Sequence, residues 1–256
     1  MLVADRRTQI LDIISSRKSV TVKEIADIFG VSTETVRRDF EELSSQGSIT
    51  KTFGGAVLKQ KVETSVPASD KLNVMVENKR AMARIACQYI SPHDSIFLDH
   101  SASVYYLCDY IKEMPLTVFT NSILVIQSLQ NYKNINLVTT GGVYNHSELG
   151  FFGAHAVDDV NSHNVDKAFL SCQYLDLRRG LSDSREEISN MRRHIISSAV
   201  DSSYLIADYT KFDNSSFVVT SPLSALTNLI TDRELSPQWA DALNRAHVKY
   251  DIAQVI

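Results

Sequence analysis

The hydrophobic positions near the start of the chain recur at the spacing of short helices. The segment 6–16 carries three isoleucines on one helical stripe and predicts a first helix. Thr21 and Glu24 form an S/T-x-x-E capping box just ahead of a second apolar stripe. Gly30 supplies the left-handed residue that ends this second helix. The pattern therefore predicts two short helices before a tight turn.

A third helix is predicted directly after that turn. Ser32 can cap it, and Val36, Phe40 and Leu43 follow i, i+4, i+7 spacing, so one face is expected to be buried. Hydroxyls and paired arginines on the other faces suit the DNA major groove, with base contacts near the helix N-terminus. The candidate DNA-binding side chains on this element are Ser32, Thr33, Glu34, Thr35, Arg37 and Arg38.

The next segment predicts a small basic hairpin. Gly47 closes the third helix, and 49–57 reads as two short strands around a Gly-rich turn, with Lys51 on the first strand. A hairpin of this kind beside a recognition helix can add contacts to the DNA backbone. The competing interpretation is that Arg37 and Arg38 form an ordinary solvated face, which is the usual role of a charge run.

Beyond residue 76 the pattern changes to short apolar runs that alternate with helical stripes. Alternation of this kind predicts βαβ units and a largely parallel sheet covered by helices on both faces. The predicted helices are 77–90, 104–112, 123–129, 184–200 and 237–247. The predicted strands are 95–99, 116–120, 135–140, 166–171, 204–208 and 228–232.

The predicted fold class is thus α/β, with a small helical head at residues 1–57 and a larger domain at 77–256. The polar stretch 58–76, which contains Pro67, is expected to be a linker.

Composition narrows the class of protein without naming a function. Hydrophobic content of 44% and charged content of 22% are ordinary for a soluble globular protein. No run of about 18 apolar residues predicts a membrane span, and the first ten residues lack the apolar core of an export signal, so we expect a cytoplasmic protein. Three widely spaced cysteines match neither a zinc pattern nor a disulfide framework. We predict no cofactor and no membrane partner.

Charge alone does not indicate a nucleic-acid ligand. The whole chain carries a formal net charge of −4, and residues 1–58 hold eight basic and eight acidic side chains. Affinity for DNA would therefore have to come from the placement of charges and from several heads acting together in an oligomer.

Candidate ligand residues lie where the predicted parallel strands end, because ligands of such sheets bind at the carboxyl edge. Hydroxyl and amide groups at a helix start can bind phosphate, and a Gly-Gly pair allows close backbone approach to a ligand. Simple N-caps and a simple turn are the alternatives. The candidates are Asp99, His100, Ser101, Ser103, Thr120, Asn121, Gly141 and Gly142.

Two sets of residues resemble one known family, the DeoR family of bacterial sugar-metabolism regulators. The run 32–43 with the Gly54-Gly55-Ala56 turn resembles the winged helix-turn-helix of that family. The second set resembles, in order and spacing, the sensor domain of the same family. Its members are Asp99, Thr120-Asn121, Gly141-Gly142, Gly153, Asp166, Gly180, Asp208 and Lys211-Phe212.

The resemblance implies a sensor similar in fold to ribose-5-phosphate isomerase and coenzyme A transferases that binds phosphorylated sugars. It implies that Lys211 is an anion contact, that Asp99 accepts a sugar hydroxyl, and that Arg192 or Arg193, with Arg193 preferred, replaces a family lysine. Ser101 and Ala102 depart from the family's Asp-x-Gly-Ser/Thr-Thr loop, and Phe53 stands where the family often has His or Arg. The VFTNS run and the Ser-Cys pair after the fourth strand are similar to members that regulate fucose catabolism.

The leading hypothesis is a DNA-binding regulator of a carbohydrate operon, acting as a repressor. It would bind double-stranded operator DNA and a phosphorylated sugar effector, and it would act as a homo-oligomer, a dimer or a tetramer.

One alternative is a sugar-phosphate isomerase or transferase with a DNA-binding head, in which acid and base groups come from Asp99, Glu186, Glu187 and Lys211. Another is a head that binds protein. His100, His146 and His155 match no common metal-ligand spacing, so no metal is predicted.

Overall fold

The computed structural model describes residues 6–7, 9–11, 13–14, 19–45, 49–52, 54–58 and 68–255. The chain divides into two compact units, Met1–Glu63 and Thr64–Ile256. Among the described residues, no helix combines the length and the apolar character that crossing a bilayer requires.

The described residues of the first unit form three helices and a small antiparallel sheet. All described residues between 6 and 14 are helical, which defines α1. The other helices are α2 (Val22–Phe29) and α3 (Thr33–Ser45), and the strands are β1 (Ser19–Thr21), β2 (Ile49–Thr52) and β3 (Gly55–Leu58). The strands pair in the order β1-β3-β2. The predicted helices and hairpin are confirmed, whereas β1 was not predicted because three residues are too few to show a period.

The local signals that delimit the helices act as predicted. The Thr21 hydroxyl accepts from the Glu24 N–H at 3.2 Å, and the Glu24 carboxylate accepts from the Thr21 N–H at 2.7 Å. Gly30 ends α2 in the left-handed conformation at φ 61°. The Ser32 hydroxyl accepts from the Thr35 N–H at 3.2 Å and caps α3. Short-range hydrogen bonding and the left-handed glycine therefore set where α2 begins and ends and where α3 begins.

The hairpin depends on its two glycines for different reasons. Gly54 adopts a positive φ of 88° at the turn, a conformation that is costly for other residues. A Cβ on Gly55 would lie 2.2 Å from the Val20 carbonyl oxygen, so only glycine lets β3 approach β1. Two other residues of this prediction, Gly47 and Phe53, lie outside the described residues.

One buried acid ties the first helix to the third. Asp39 is 2% exposed and accepts from the Arg6 Nε at 2.7 Å and from the Arg7 Nε at 3.0 Å. Around this ion pair the three helices and the sheet share one apolar core. Its buried members are Ile10, Ile14, Val20, Ile25, Ala26, Val36, Phe40, Leu43, Ile49 and Ala56. Two of the eight basic side chains of residues 1–58 are thus committed to internal structure.

The second unit is built on a seven-stranded sheet whose paired strands are all parallel. Its strand order is β15-β14-β12-β9-β4-β5-β6. The strands are β4 (Ser95–Leu98), β5 (Leu116–Thr120), β6 (Ile135–Thr139), β9 (Val165–Leu170), β12 (Ala199–Ile206), β14 (Asn228–Thr231) and β15 (Lys249–Ile252). The six predicted strands and their parallel arrangement are confirmed. The edge strand β15 was missed because its sequence, KYDI, is half polar.

Helices cover both faces of this sheet. Ile96 and Leu98 pack into one apolar cluster with the helices that follow β4 and β5, whereas Phe97 packs on the opposite face. This alternation is the period of two expected of a strand buried on both sides. The helices are α5 (Val76–Cys87), α6 (Ala102–Tyr105), α7 (Cys108–Ile111), α8 (Ile123–Leu129), α9 (Ala154–Asn161), α10 (Glu186–Ser198) and α11 (Pro237–Arg245). The helix predicted at 104–112 is replaced by two short ones, α6 and α7.

Smaller elements border the carboxyl edge of the sheet. The strands β7 (Val143–Asn145) and β8 (Gly150–Phe152) form a hairpin. An antiparallel sheet of order β10-β11-β13 is separate from the seven-stranded sheet. Its strands are β10 (Tyr174–Asp176), β11 (Gly180–Asp183) and β13 (Val218–Ser221). None of these strands was predicted, because three or four residues interrupted by polar groups resemble loops.

The segment predicted as a linker is ordered at its end. Residues 59–67 lie outside the described residues, and the helix α4 (Ala68–Leu72) follows them. The Ala68 N–H donates to the Ser147 carbonyl at 2.8 Å, and the Tyr106 hydroxyl donates to the Leu72 carbonyl at 2.8 Å. This part of 58–76 therefore packs on the second unit.

Replacing Asp39 tests whether the buried ion pair holds the first unit together. We expect Asp39→Ala to lower the free energy of unfolding of this unit by about 3–5 kcal/mol, because two partly buried guanidinium groups lose their shared carboxylate. Asp27→Ala, on the exposed face of α2, serves as the control and should have little effect. The only tryptophan, Trp239, lies in the second unit. Urea unfolding followed by far-UV circular dichroism should therefore detect the loss, while tryptophan fluorescence should not. Equal stability of both variants by dichroism would contradict the role of Asp39.

Candidate functional site

The path of the chain through the main sheet creates one crevice. The chain runs outward from β4 through β5 to β6, returns to β9 beside β4, and then runs outward the other way through β12, β14 and β15. Connections of β4 and β9 leave the sheet in opposite directions, and ligands of α/β sheets bind at such a reversal. Asp99 follows β4 and Ser171 follows β9, so these two residues lie at the crevice.

Asp99 is fully buried, and protein groups occupy both of its oxygens. Oδ1 accepts from the N–H of Ser101 at 2.9 Å and from its hydroxyl, while Oδ2 accepts from the Ser171 N–H and the Arg192 Nε, each at 3.2 Å. Burial acts to raise the pKa of Asp99, but Arg192 and the Ser101 hydrogen bonds outweigh it and hold the pKa below its ordinary value. A carboxylate with about four lone-pair sites has little capacity left here. The sugar-hydroxyl acceptor predicted at Asp99 is better understood as a positioning residue.

Arg192 joins the parallel sheet to the β10-β11-β13 sheet electrostatically. Its guanidinium is buried and binds Asp99 on the parallel sheet and Asp183 at the end of β11. Asp183 also accepts from the Thr220 hydroxyl at 2.8 Å and from the Gln173 N–H at 3.1 Å. Burial acts to lower the pKa of Arg192, but Asp183 and Asp99 raise it well above its ordinary value. One cation is therefore shared by two carboxylates, and no positive charge is left over for a ligand.

The neighbouring Arg193 points elsewhere, which corrects the sequence preference for it. Its Nη2 binds Glu186 at 2.8 Å and its Nη1 donates to the Val219 carbonyl at 3.1 Å. Consecutive residues on a helix differ in direction by about 100°, so Arg192 and Arg193 cannot share one site. The same contacts place Glu186, whose side chain is 73% exposed, outside the Asp99 cluster. Glu187 binds Arg185 and Asn145 and is also partly exposed, so the acid and base pair of the enzyme hypothesis is not assembled.

Buried polar atoms without a protein partner lie along the carboxyl edge of the parallel sheet, and three of them, from His100, Asn121 and Ser171, lie beside the crevice. Among the described residues six buried side-chain atoms lack a hydrogen-bond partner, and five of them lie at or just beyond the carboxyl ends of parallel strands. An unsatisfied buried group costs about 1–3 kcal/mol, so such clustering is typical of a ligand site. The five are His100 Nδ1, Asn121 Oδ1, Thr140 Oγ1, Ser171 Oγ and Thr231 Oγ1; the sixth, Asn228 Oδ1, lies at the start of β14. Sequence reasoning named His100 and Asn121 but missed the three hydroxyls, which follow or end predicted strands.

His100 is held neutral within this cluster. Its ring packs edge-on against Phe152 at 4.9 Å, and its Nε2 lies 4.0 Å from the Glu148 carboxylate. Burial, reinforced by Arg192, lowers the pKa of His100 to about 4. A Cβ on Gly150 would lie 2.9 Å from the His100 Cβ, so glycine is what lets the β7–β8 hairpin close on this loop.

The other predicted loop residues mainly shape the crevice. The Thr120 hydroxyl donates to the Leu98 carbonyl at 2.6 Å and accepts from the Ser122 N–H at 3.0 Å, so it holds the ends of β4 and β5 together. The Gly141 N–H donates to Asp159 at 2.7 Å. Gly142 adopts φ 108°, and a Cβ there would lie 2.5 Å from the Phe152 carbonyl. The turn interpretation therefore accounts for both glycines. Ser103 is buried in α6, a helix of only four residues.

Three lysines border the cluster, of which only Lys211 was predicted. The Lys211 Nζ donates to the Cys172 carbonyl at 2.8 Å. Lys71, on α4, has its pKa lowered by burial and lies within electrostatic range of Glu148, Lys211, Arg192 and Asp183. Lys79 is buried at the start of α5. Sequence reasoning missed Lys71 and Lys79 because they lie in or beside the predicted linker, far from any strand end.

The polar face of α3 in the first unit is open to solvent. The side chains of Arg37 and Arg38 are 64% and 76% exposed, and each lies 3.7 Å from the Glu34 carboxylate. On the hairpin, Lys51 pairs with Glu41 at 3.2 Å. Ser32 and Thr33 are exposed and Thr35 is half-buried. Exposed pairs of this kind contribute little to stability, so the arginines can exchange Glu34 for a phosphate at small cost.

Two open depressions of about 550 and 410 Å³ lie along the starts of β15 and of β5 and β6, away from the crevice. In the part of the chain that the structure describes, no group of three or more His, Cys, Asp or Glu residues is arranged to hold a metal ion.

Comparisons with known proteins assign the family. Residues 6–62 match the DeoR-like helix-turn-helix domain, and residues 74–233 match the DeoR C terminal sensor domain. The chain belongs to the DeoR family of transcriptional regulators. It is 36% identical over 249 residues to the Bacillus subtilis regulator YulB, covering 97% of this chain and 96% of that one. This confirms the predicted family and its two kinds of domain.

Two further comparisons concern the predicted repressor role and the predicted likeness of the second unit to ribose-5-phosphate isomerase. The L-fucose operon activator of Haemophilus influenzae is 27% identical over 96% of this chain and 97% of its own length. Because that relative is an activator, family membership alone does not decide between repression and activation. A solved D-ribose-5-phosphate isomerase with phospho-erythronic acid is 16% identical, covers 55% of each chain and has a TM-score of 0.39. That likeness is too weak to bear on function.

The two neighbouring arginines of α10 give a matched test of the buried charge cluster. We expect Arg192→Met to lower the free energy of unfolding of the second unit by about 3–5 kcal/mol, since it leaves two buried carboxylates without their cation. Arg193→Met should cost no more than about 1 kcal/mol, because it removes an exposed pair. Urea unfolding followed by Trp239 fluorescence measures both. Similar losses in the two variants would show that the buried bridge is not what holds the two sheets together.

Proposed function

We propose that this chain is a DNA-binding repressor of a carbohydrate catabolism operon whose affinity for its operator is set by a phosphorylated sugar. The effector binds at the carboxyl edge of the parallel sheet. The observation that carries this proposal is a set of three unpartnered buried polar atoms, His100 Nδ1, Asn121 Oδ1 and Ser171 Oγ, in the loops that follow β4, β5 and β9 around the crevice. Family membership supports the regulatory role.

The crevice suits the hydroxyl groups of a sugar. His100, Asn121, Thr140 and Ser171 offer neutral donors and acceptors, which can bind hydroxyls in either direction. Of the predicted effector residues, Asp99, Ser101, Thr120, Gly141 and Gly142 act by shaping the crevice, and Ser103 lies in its wall. Lys211 is the predicted anion contact that stays in place for the phosphate, whereas Arg193, which binds Glu186 and the Val219 carbonyl, has no effector contact in this scheme.

Each predicted domain has its own role in this proposal. Residues 1–57 bind double-stranded DNA, 58–76 connect, and 77–256 bind the effector, in a cytoplasmic homo-oligomer that is a dimer or a tetramer. Effector binding changes how paired heads engage two half-sites. A coupling of about 1–3 kcal/mol is enough to change operator occupancy. Repression is the simpler output, because occupying the operator requires no further protein contact.

The exposed arginines of α3 should carry DNA affinity. We expect Arg37→Ala and Arg38→Ala each to weaken binding about tenfold or more, because each removes a base or phosphate contact. The probe is a duplex selected by the wild-type protein from a random-sequence library, and gel-shift titrations at several salt concentrations give the affinity. A lost phosphate contact should also lower the salt slope by about one.

The control for this experiment is Arg84→Ala, an exposed arginine of α5 in the second unit. It removes the same charge from the chain without changing the α3 surface, so its affinity should match the wild type. Unchanged affinity of both α3 variants, or failure of the wild type to enrich any duplex, would contradict DNA reading by this helix.

The effector is tested by thermal unfolding of the full chain with hexose and pentose phosphates, each beside its unphosphorylated parent. A ligand at about 100 times its dissociation constant adds about 2.7 kcal/mol to the free energy of unfolding. We expect one phosphosugar to raise the melting temperature while its parent sugar does not. The same compound should change the gel-shift affinity of the wild-type protein. Stabilisation by parent sugars alone would contradict a phosphorylated effector.

A further inference from the structure

The outward face of α3 carries acids as well as bases, although it is the face proposed to meet a polyanion. Successive residues of a helix differ in direction by about 100°. Glu34, Arg38 and Glu41 therefore lie on the side of α3 opposite its buried apolar stripe. The side chains of Glu34 and Glu41 are 63% and 65% exposed. Two carboxylates thus lie on the surface that we propose contacts DNA.

Glu34 lies near both arginines of this face, with a separate oxygen toward each. Its Oε2 is 3.7 Å from the Arg37 Nη1, and its Oε1 is 3.7 Å from the Arg38 Nε. Both distances exceed those of a hydrogen bond, so neither guanidinium is held in place by the acid. One carboxylate thus offsets part of the charge of two arginines, and the three side chains together carry a net charge of plus one.

Other basic side chains of the first unit are paired with acids too. Arg6 and Arg7 share Asp39, and Lys51 on the hairpin lies 3.2 Å from Glu41. Together with the two arginines of α3, five basic side chains of this unit have a carboxylate within 4.0 Å. Attraction between basic side chains and phosphates supplies most of the affinity of a protein for DNA of arbitrary sequence. Acids beside the cations weaken that attraction, so this unit is suited to selective binding.

We propose that Glu34 is a specificity-determining residue that accepts a hydrogen bond from the exocyclic amino group of a cytosine in the major groove. This inference rests on the proposed function and deepens it, because it assigns one base preference to one side chain. Cytosine presents a donor at N4, whereas guanine presents two acceptors and thymine an acceptor and a methyl group. Adenine presents its N6 donor beside the N7 acceptor, which repels a carboxylate.

The position of Glu34 in the helix favours a base contact over a phosphate contact. It is the second residue of α3, and helix-turn-helix proteins contact base edges with the first residues of their second helix. The free N–H groups of the first turn also stabilise a negative charge there. Glu41 lies seven residues later, about 10 Å further along the helix axis, and pairs with the hairpin. Glu34 is therefore the acid of this face that is placed to meet a base.

A carboxylate in this position discriminates mainly through its behaviour at the wrong base. Opposite cytosine it gains a donor, and Arg37 and Arg38 are free to contact phosphates or neighbouring bases. Opposite guanine or thymine it loses water without gaining a donor, which is unfavourable for a charged group. Glu34 should therefore lower the affinity for wrong sequences more than it raises the affinity for the right one.

The test compares Glu34→Ala with Glu41→Ala, which removes the same charge from the same face of α3. The probes are a duplex that the wild-type protein selects from a random-sequence library, every single base-pair substitution of that duplex, and a duplex of random sequence. Gel-shift titration of the full chain at one salt concentration gives the dissociation constant for each probe. Both acids are exposed, so both variants should fold normally, which far-UV circular dichroism checks.

We expect one C·G pair of the selected duplex to depend on Glu34. Replacing that pair should weaken wild-type binding about tenfold or more, because a specific base contact is lost. The same replacement should have little effect on Glu34→Ala, while Glu41→Ala should keep the wild-type preference. Glu34→Ala should also bind the random duplex several-fold more tightly than the wild type does. Glu34→Gln should prefer an A·T pair at the same position, since a Gln amide can pair with N6 and N7 of adenine.

Two results would overturn the inference. One is a Glu34→Ala preference that equals that of the wild type at every position. The other is an equal loss of the cytosine preference in Glu41→Ala, because the loss would then follow from charge alone.

The inference and the proposed function fail in distinguishable ways. If the wild type selects a duplex but no C·G pair in it depends on Glu34, the proposed function stands and this inference falls. If the wild type enriches no duplex at all, DNA reading by α3 falls and the inference falls with it.

Discussion

The second unit depends on one buried cation shared by two carboxylates. Arg192 reaches from α10 to Asp99 at the end of β4 and to Asp183 at the end of β11. Ion pairs buried this deeply are costly unless the remaining lone pairs are satisfied, and here Ser101, Ser171 and Thr220 supply those bonds. The bridge fixes the position of the small antiparallel sheet against the crevice. The bridge carries a net charge of minus one, so Arg192 is a structural cation.

Local chemistry explains why so much of the fold could be predicted from the sequence. The Thr21–Glu24 capping box, the left-handed Gly30 and the apolar strands around Ile96 and Phe97 act over a few residues, and each acts as expected. The strands that escaped prediction are short or half polar, as in β1 and β15. Their pairing is decided by distant partners, which no local period reveals.

The candidate site was predictable only in part, for a different physical reason. Strand ends identify the loops, so His100 and Asn121 could be named, but the direction of a helical side chain depends on which face is buried. Sequence alone could not choose between Arg192 and Arg193, and the structure places only the former at Asp99. Lys71 was beyond reach because a polar stretch with a proline resembles a linker whether or not its end folds back on the sheet.

The pairing of Asp39 with Arg6 and Arg7 has a consequence for the modularity of the DNA-binding unit. Within Arg37-Arg38-Asp39 the two arginines face solvent while the acid faces α1. Under the proposed function, DNA contacts and structural integrity are thus encoded in adjacent positions of one helix. A recognition helix transplanted from another protein can change the exposed positions freely, but it must carry an acid at position 39 or bring its own first helix with it.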